Sequence, residues 1–165
     1  MGQRNVSSVV NGSTAALLAA VSASVNKGGK ILVARNCHKA VYHALYLREL
    51  QPVYIYPHED QRLGINGGIS PERVERYAGR KYRMWQAFLL TSPTYDGVVS
   101  DIKTIAEVVH RHKIPLIVDE AHGAHLHYSK YFPVSAADLG ADIVIQSFHK
   151  NAAIYDSDGG ASYMQ

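Results

Sequence analysis

Two residues of this chain sit at the ends of apolar runs where their chemistry is out of place. Asp119 closes the run in 114-IPLIVDEAHGAH-125, and Lys150 follows 142-DIVIQSFH-149. A carboxylate emerging from a strand that is apolar on both faces needs a partner, because a buried unpaired charge is too costly to keep. A lysine in such a position either reaches solvent along its stem or is desolvated for use. Desolvation lowers the pKa of an amine, which is what Schiff-base formation with an aldehyde requires.

Other loaded positions follow the remaining runs. In 10-VNGSTAA-16 a glycine and the hydroxyls of Ser13 and Thr14 open a helix. They can offer backbone N–H groups, side-chain OH groups and the helix dipole to a phosphate, or serve as a plain N-cap. In 35-RNCHKA-40, His38 can stack on a ring or act as a satisfied cap at a helix start. Ser147 and His149 add donors beside Lys150, and the small Ala121 leaves room next to Asp119. Two rival readings fail. DEAH is also a helicase box, but the G-x-x-x-x-G-K-[ST] loop it needs is missing from the chain. His122, His125 and His127 lack an H-E-x-x-H pattern or a cysteine pair, which argues against a metal site, and His125 and His127 read as surface or supporting histidines.

One cofactor accounts for the set. Lys150 would bind the aldehyde of pyridoxal 5'-phosphate, and Asp119 would keep the pyridine nitrogen protonated so that the ring can draw electrons. Ser13, Thr14, Ser147 and His149 would bind the phosphate, while His38 would cover one ring face above Ala121.

These residues must be positioned by regular elements, and the period of the sequence supplies them. Candidate strands are 30-KILVA-34, 53-VYIYP-57, 86-QAFLLT-91, 114-IPLIVDE-120 and 142-DIVIQS-147, with 7-SSVV-10 as a weaker first strand. Helical spacing marks 14-TAALLAAVSAS-24, 39-KAVYHALYLRE-49, 71-PERVERYA-78 and 101-DIKTIAEVVHRH-112. Alternation of this kind predicts an α/β fold, a mostly parallel sheet with helices on both faces. In such sheets ligands gather beyond the carboxyl ends of the strands, which is where the loaded residues fall.

Composition agrees with one domain and a substantial core: 165 residues, 47% hydrophobic, 19% charged. The net charge of +3 is spread rather than striped, which argues against nucleic-acid binding. Cys37 is the single cysteine, and the sequence contains no apolar run long enough to span a bilayer and no leader at Met1, so a cytoplasmic setting without membrane contact is expected.

Taken together, VNGSTAA, RNCHKAV, GGISPERVE, TSPTYDGVVSDIKTIAEVVH, IPLIVDEAHGAHL, GADIVIQS and the HK pair resemble the cofactor domain of the ornithine/lysine/arginine decarboxylases. These are pyridoxal-phosphate enzymes of the aspartate-aminotransferase fold, and the likeness runs from about residue 7 to Lys150. It implies decarboxylation of a basic amino acid in polyamine biosynthesis, by a homodimer or larger assembly whose active site is completed across the interface. It also implies Lys150 as the cofactor lysine, Asp119 as the pyridine partner, His38 as the stacking residue, and phosphate contacts at Ser13, Thr14, Ser147 and His149. Phe148 departs from the threonine common in the family. The cofactor residues alone leave open an aminotransferase or another lyase of the same fold.

Residues 1–150 thus read as a partial cofactor-binding domain, and 151-NAAIYDSDGGASYMQ-165 reads as an aberrant tail. The family continues after its lysine with a stretch like TLPSMTQT. Back-translated with permitted codons, and with one base removed from the adenine run at Lys150, the tail becomes that continuation. The expectation is therefore a frame lost after Lys150, a poorly packed tail and a non-catalytic remnant.

Overall fold

The alternating runs close into one parallel sheet. The structure, a computed structural model, describes residues 5–79 and 84–151. In chain order come α1 (Gly12–Ser24), β1 (Lys30–Ala34), α2 (Lys39–Leu47) and β2 (Gln51–Ile55). A two-residue hairpin pair, β3 (Glu59–Asp60) and β4 (Ile65–Asn66), precedes α3 (Pro71–Ala78), β5 (Trp85–Thr91), α4 (Ile102–Arg111) and β6 (Leu116–Asp119). A 3₁₀ turn (Ala124–Tyr128), β7 (Ile143–Ile145) and the short α5 (Phe148–Asn151) complete the described chain. The strands order as β2-β1-β5-β6-β7, every pairing parallel.

Side-chain alternation sends each strand's residues into two layers. Leu32, Phe88, Leu90, Leu116 and Val118 pack with Val74 of α3 and Ile105 and Val109 of α4. Ile31, Val33, Leu89 and Ile117 pack on the other face with Leu17 and Val21 of α1 and Val41 of α2. Each fully buried large side chain contributes about 1.5–3 kcal/mol of transfer free energy. Local signals set the helix limits. Ser70 Oγ accepts from Arg73 N at 3.3 Å ahead of Pro71, and Asp101 Oδ1 accepts from Thr104 N at 3.1 Å. After α4, Lys113 turns into the left-handed region (φ 58) and Pro115 prevents helical continuation.

The α/β expectation holds, with three differences in detail. Residues 7–10 form no strand: they are exposed, they pair with no strand among the described residues, and the left-handed Asn11 (φ 78) and Gly12 (φ 73) swing the chain into α1. The β3–β4 hairpin is too short to show a period. The last strand stops at Ile145, so Lys150 rides on the helical turn of α5 rather than on a strand end, and its side chain is exposed rather than desolvated. Residues 152–165 lie outside the described residues.

At the amino end of β6, one carboxylate replaces a missing ladder partner. Asp142 Oδ2 accepts from the Leu116 amide at 2.7 Å and from His110 Nε2 at 2.8 Å, tying α4 to the β6–β7 margin. Asp142→Ala is expected to lower stability by about 1–3 kcal/mol, since it strands the buried Leu116 amide; urea denaturation measures it, and an unchanged midpoint would count against the tie.

Candidate functional site

At the carboxyl edge of the sheet the strand ends lie in register, Thr91 beside Asp119 and Asp119 beside Ile145. Asp119 continues the row of Ile117, so it faces the α1–α2 layer, whereas the next residue, Glu120, faces the opposite layer. Asp119 is 2% exposed. Burial raises its pKa, and the Ala121 amide, donating to Oδ1 at 3.2 Å, pulls the other way together with the charges of Lys150, His38 and His122. Three basic side chains from α5, the start of α2 and the turn after β6 therefore act on one buried carboxylate.

His38 fulfils the capping expectation. It is the N-cap of α2, Nδ1 accepting from the Ala40 amide at 3.2 Å. Its loop is held by Arg35, whose guanidinium donates to Tyr42 Oη and lies 5.3 Å and 5.5 Å from the ring centroids of Tyr42 and Tyr54. Tyr42 Oη in turn donates to the Arg35 carbonyl at 2.8 Å. Burial and the neighbouring Cys37 push the Tyr42 phenol up to about 12, so it stays protonated as a donor. The Cys37 thiol is likewise raised by burial, against a hydrogen bond with Tyr42.

His122 belongs to this cluster, although the sequence raises it only in a metal pattern with His125 and His127 that fails. Burial and then Lys150 lower its pKa against the pull of Asp119, so the imidazole is neutral at neutral pH. The Tyr95 ring meets it edge-on, with centroids 5.7 Å apart, beside a cavity of about 260 Å³. The Asp119-x-x-His122 spacing is the signal in the sequence that could have placed it near the carboxylate.

Ser13 and Ser147 line one groove of about 660 Å³ between α1 and β7. Asn11, the N-cap of α1, makes no side-chain capping bond, so no such cap covers the first amides of the helix. Thr14 is exposed at the same end. Ala121 is buried next to Asp119, and the side chain of His149 lies outside the described part. Two buried oxygens, Thr91 Oγ1 and Asn36 Oδ1, have no partner among the described residues. Thr91 shares the face of Asp119 on the neighbouring strand, and Asn36 lies in the loop carrying His38. Hydroxyls lining a groove at an uncapped helix start, a buried carboxylate at the end of the strand beside β7 and the spare oxygens near that carboxylate fit pyridoxal 5'-phosphate.

Comparison with known proteins points the same way. A family model described as "Orn/Lys/Arg decarboxylase, major domain" matches residues 3–158. The arginine decarboxylase of Bacillus subtilis (strain 168) is 39% identical over 141 residues, covering 86% of this chain and 29% of that protein. The structure of the Escherichia coli constitutive lysine decarboxylase superposes with a TM-score of 0.66 at 26% identity, over 88% of this chain and 22% of that one. N-succinyldiaminopimelate aminotransferase from Mycobacterium tuberculosis shares the fold, with a TM-score of 0.66 at 23% identity over 84% and 36% of the two chains. The chain thus spans under a third of the B. subtilis relative.

The raised pKa of Asp119 makes a signed prediction. The native carboxyl binds its proton more tightly than the unfolded one, so stability falls as pH rises from the unfolded pKa, ~3.9, through the native value. Asp119→Asn is therefore expected to raise the melting temperature at pH 7 without added cofactor, and to leave it unchanged near pH 3. A loss of stability at pH 7 would show that the carboxylate is not under desolvation strain.

Proposed function

The chain belongs to the Orn/Lys/Arg decarboxylase family, and we propose that it is the cofactor-binding part of a pyridoxal-phosphate-dependent decarboxylase acting on arginine, lysine or ornithine. The family and its structural neighbours are pyridoxal-phosphate enzymes. The observation that carries the reading is the convergence of Lys150, His38 and His122 on the buried Asp119. When bound, the cofactor supplies an electron sink for the bond broken at the amino acid's α-carbon.

Each residue then has a role. Asp119 keeps a proton on the ring nitrogen by remaining ionised against it, which offsets the desolvation it suffers alone. Lys150 brings a primary amine to the aldehyde carbon. His38 covers a ring face, held by the Arg35–Tyr42 contacts, and neutral His122 offers a hydrogen bond without adding a second positive charge. Ser13, Thr14, Ser147 and His149 bind the phosphate with the α1 amides, and Ala121 leaves the ring its space.

The proposal extends to the molecule as a cytoplasmic enzyme of polyamine biosynthesis, dimeric or larger, and to the 165-residue chain on its own as a piece without turnover. What supports the last point is that it spans under a third of the B. subtilis relative, and catalysis rests mainly on positioning by surrounding structure. The aberrant-tail reading of residues 151–165 remains a proposal about the gene.

Two measurements test this. In a version carrying the full family domain, Lys150→Ala is expected to abolish carbon dioxide release from basic amino acids, and Asp119→Ala to lower kcat at least ~100-fold; ordinary turnover by Lys150→Ala would refute the assignment. DNA across codon 150 is expected to carry one base more in its adenine run than an in-frame gene, while an uninterrupted native frame ending at Gln165 would remove the tail reading.

A further inference from the structure

Glu120 is a second carboxylate at the end of β6, 1% exposed, and nothing in the proposed chemistry uses it. It points away from Asp119, into the layer of Val118 and Ala136, where an apolar side chain would suit the packing. Three donors hold it. Ser135 Oγ donates to Oε2 at 2.7 Å, the Ala136 amide to Oε1 at 2.7 Å, and Gln146 Nε2 to Oε2 at 2.6 Å. No cation partners it among these contacts, so its charge is carried by hydrogen bonds alone. A buried ionic group is weak evidence for stability, because an apolar replacement is often as stable. What it does supply is direction.

That direction is informative at this edge. The β6–β7 pairing ends at Asp119 and Ile145, and past it the Glu120 amide donates to the Ile145 carbonyl at 2.8 Å. Beyond that point the strands would be free to splay, yet Asp119 on one and Ser147 with Lys150 on the other must hold a fixed separation. The Glu120–Gln146 hydrogen bond spans this gap one residue before Ser147, on the face opposite Asp119.

We propose that Glu120, through Gln146, is a positioning residue that sets the distance between Asp119 and the Ser147–Lys150 segment from the far side of the sheet. The proposal rests on the cofactor reading above and deepens it. Ser135 and Ala136 anchor the same carboxylate to the following loop, so loss of the Ser135 bond disturbs packing without releasing β7. The two arms of the network are therefore separable.

The test titrates the full 165-residue chain with pyridoxal 5'-phosphate and follows covalent capture at Lys150 by borohydride reduction and mass spectrometry, well below each variant's melting temperature. Glu120→Gln and Gln146→Leu are each expected to slow capture roughly tenfold, with Ser135→Ala within about twofold of wild type. The exchanged pair, Glu120→Gln with Gln146→Glu, is expected to return the rate to within about threefold. Should Glu120→Gln fail to fold, the contrast between Gln146→Leu and Ser135→Ala still decides. Equal rates for those two variants would overturn the positioning role and leave the cofactor reading intact. No capture at Lys150 by the wild-type chain would overturn both.

Discussion

A carboxylate held out of water at the end of an apolar strand is the constraint around which the rest is arranged. Asp119 loses hydration because Ile117 and Val118 before it belong to a sheet covered on both faces. One amide from Ala121 does not make up that loss, and the pKa stays raised in spite of it. The remaining compensation comes first from Lys150 and then from His38, on elements far apart in sequence, so the fold must bring α5 and the start of α2 toward the end of β6. The parallel sheet does this by ending all its strands on the same side.

Division of labour between the two faces follows from the pleat. Successive residues at the end of β6 are both acidic, both buried and directed oppositely, one toward the α1–α2 layer and one toward the opposite layer. The first is left short of partners and the second is fully supplied. An electrostatically unsatisfied group facing a ligand and a satisfied one behind it are what a preorganised site needs, since the strain of the first is tolerated only where its surroundings cannot relax.

Most of the architecture was legible in the residues because strand and helix periods differ and the runs are long. The β1 and α3 limits emerge as read, Lys30–Ala34 and Pro71–Ala78, because turn and capping residues bound them. Short pieces were not legible: two residues of β3 cannot display a period, and FHKN reads equally as the tail of a strand. Val9 and Val10 suggested a strand from β propensity, which means little without a neighbouring strand to pair with. Asp119, His38 and Lys150 stand out in the sequence by their placement, and the structure sets the last two among the groups acting on the first. His122 and Glu120 were harder, since only three-dimensional neighbours reveal which face of the chain each side chain takes.

The Arg35–Tyr42–Cys37 packing has a practical corollary. The one thiol of the chain, Cys37, is half-buried, protonated and hydrogen-bonded in the loop that carries His38. Burial and protonation therefore slow its reaction with alkylating reagents, and the rate reports, without a label, how tightly the His38 loop is packed.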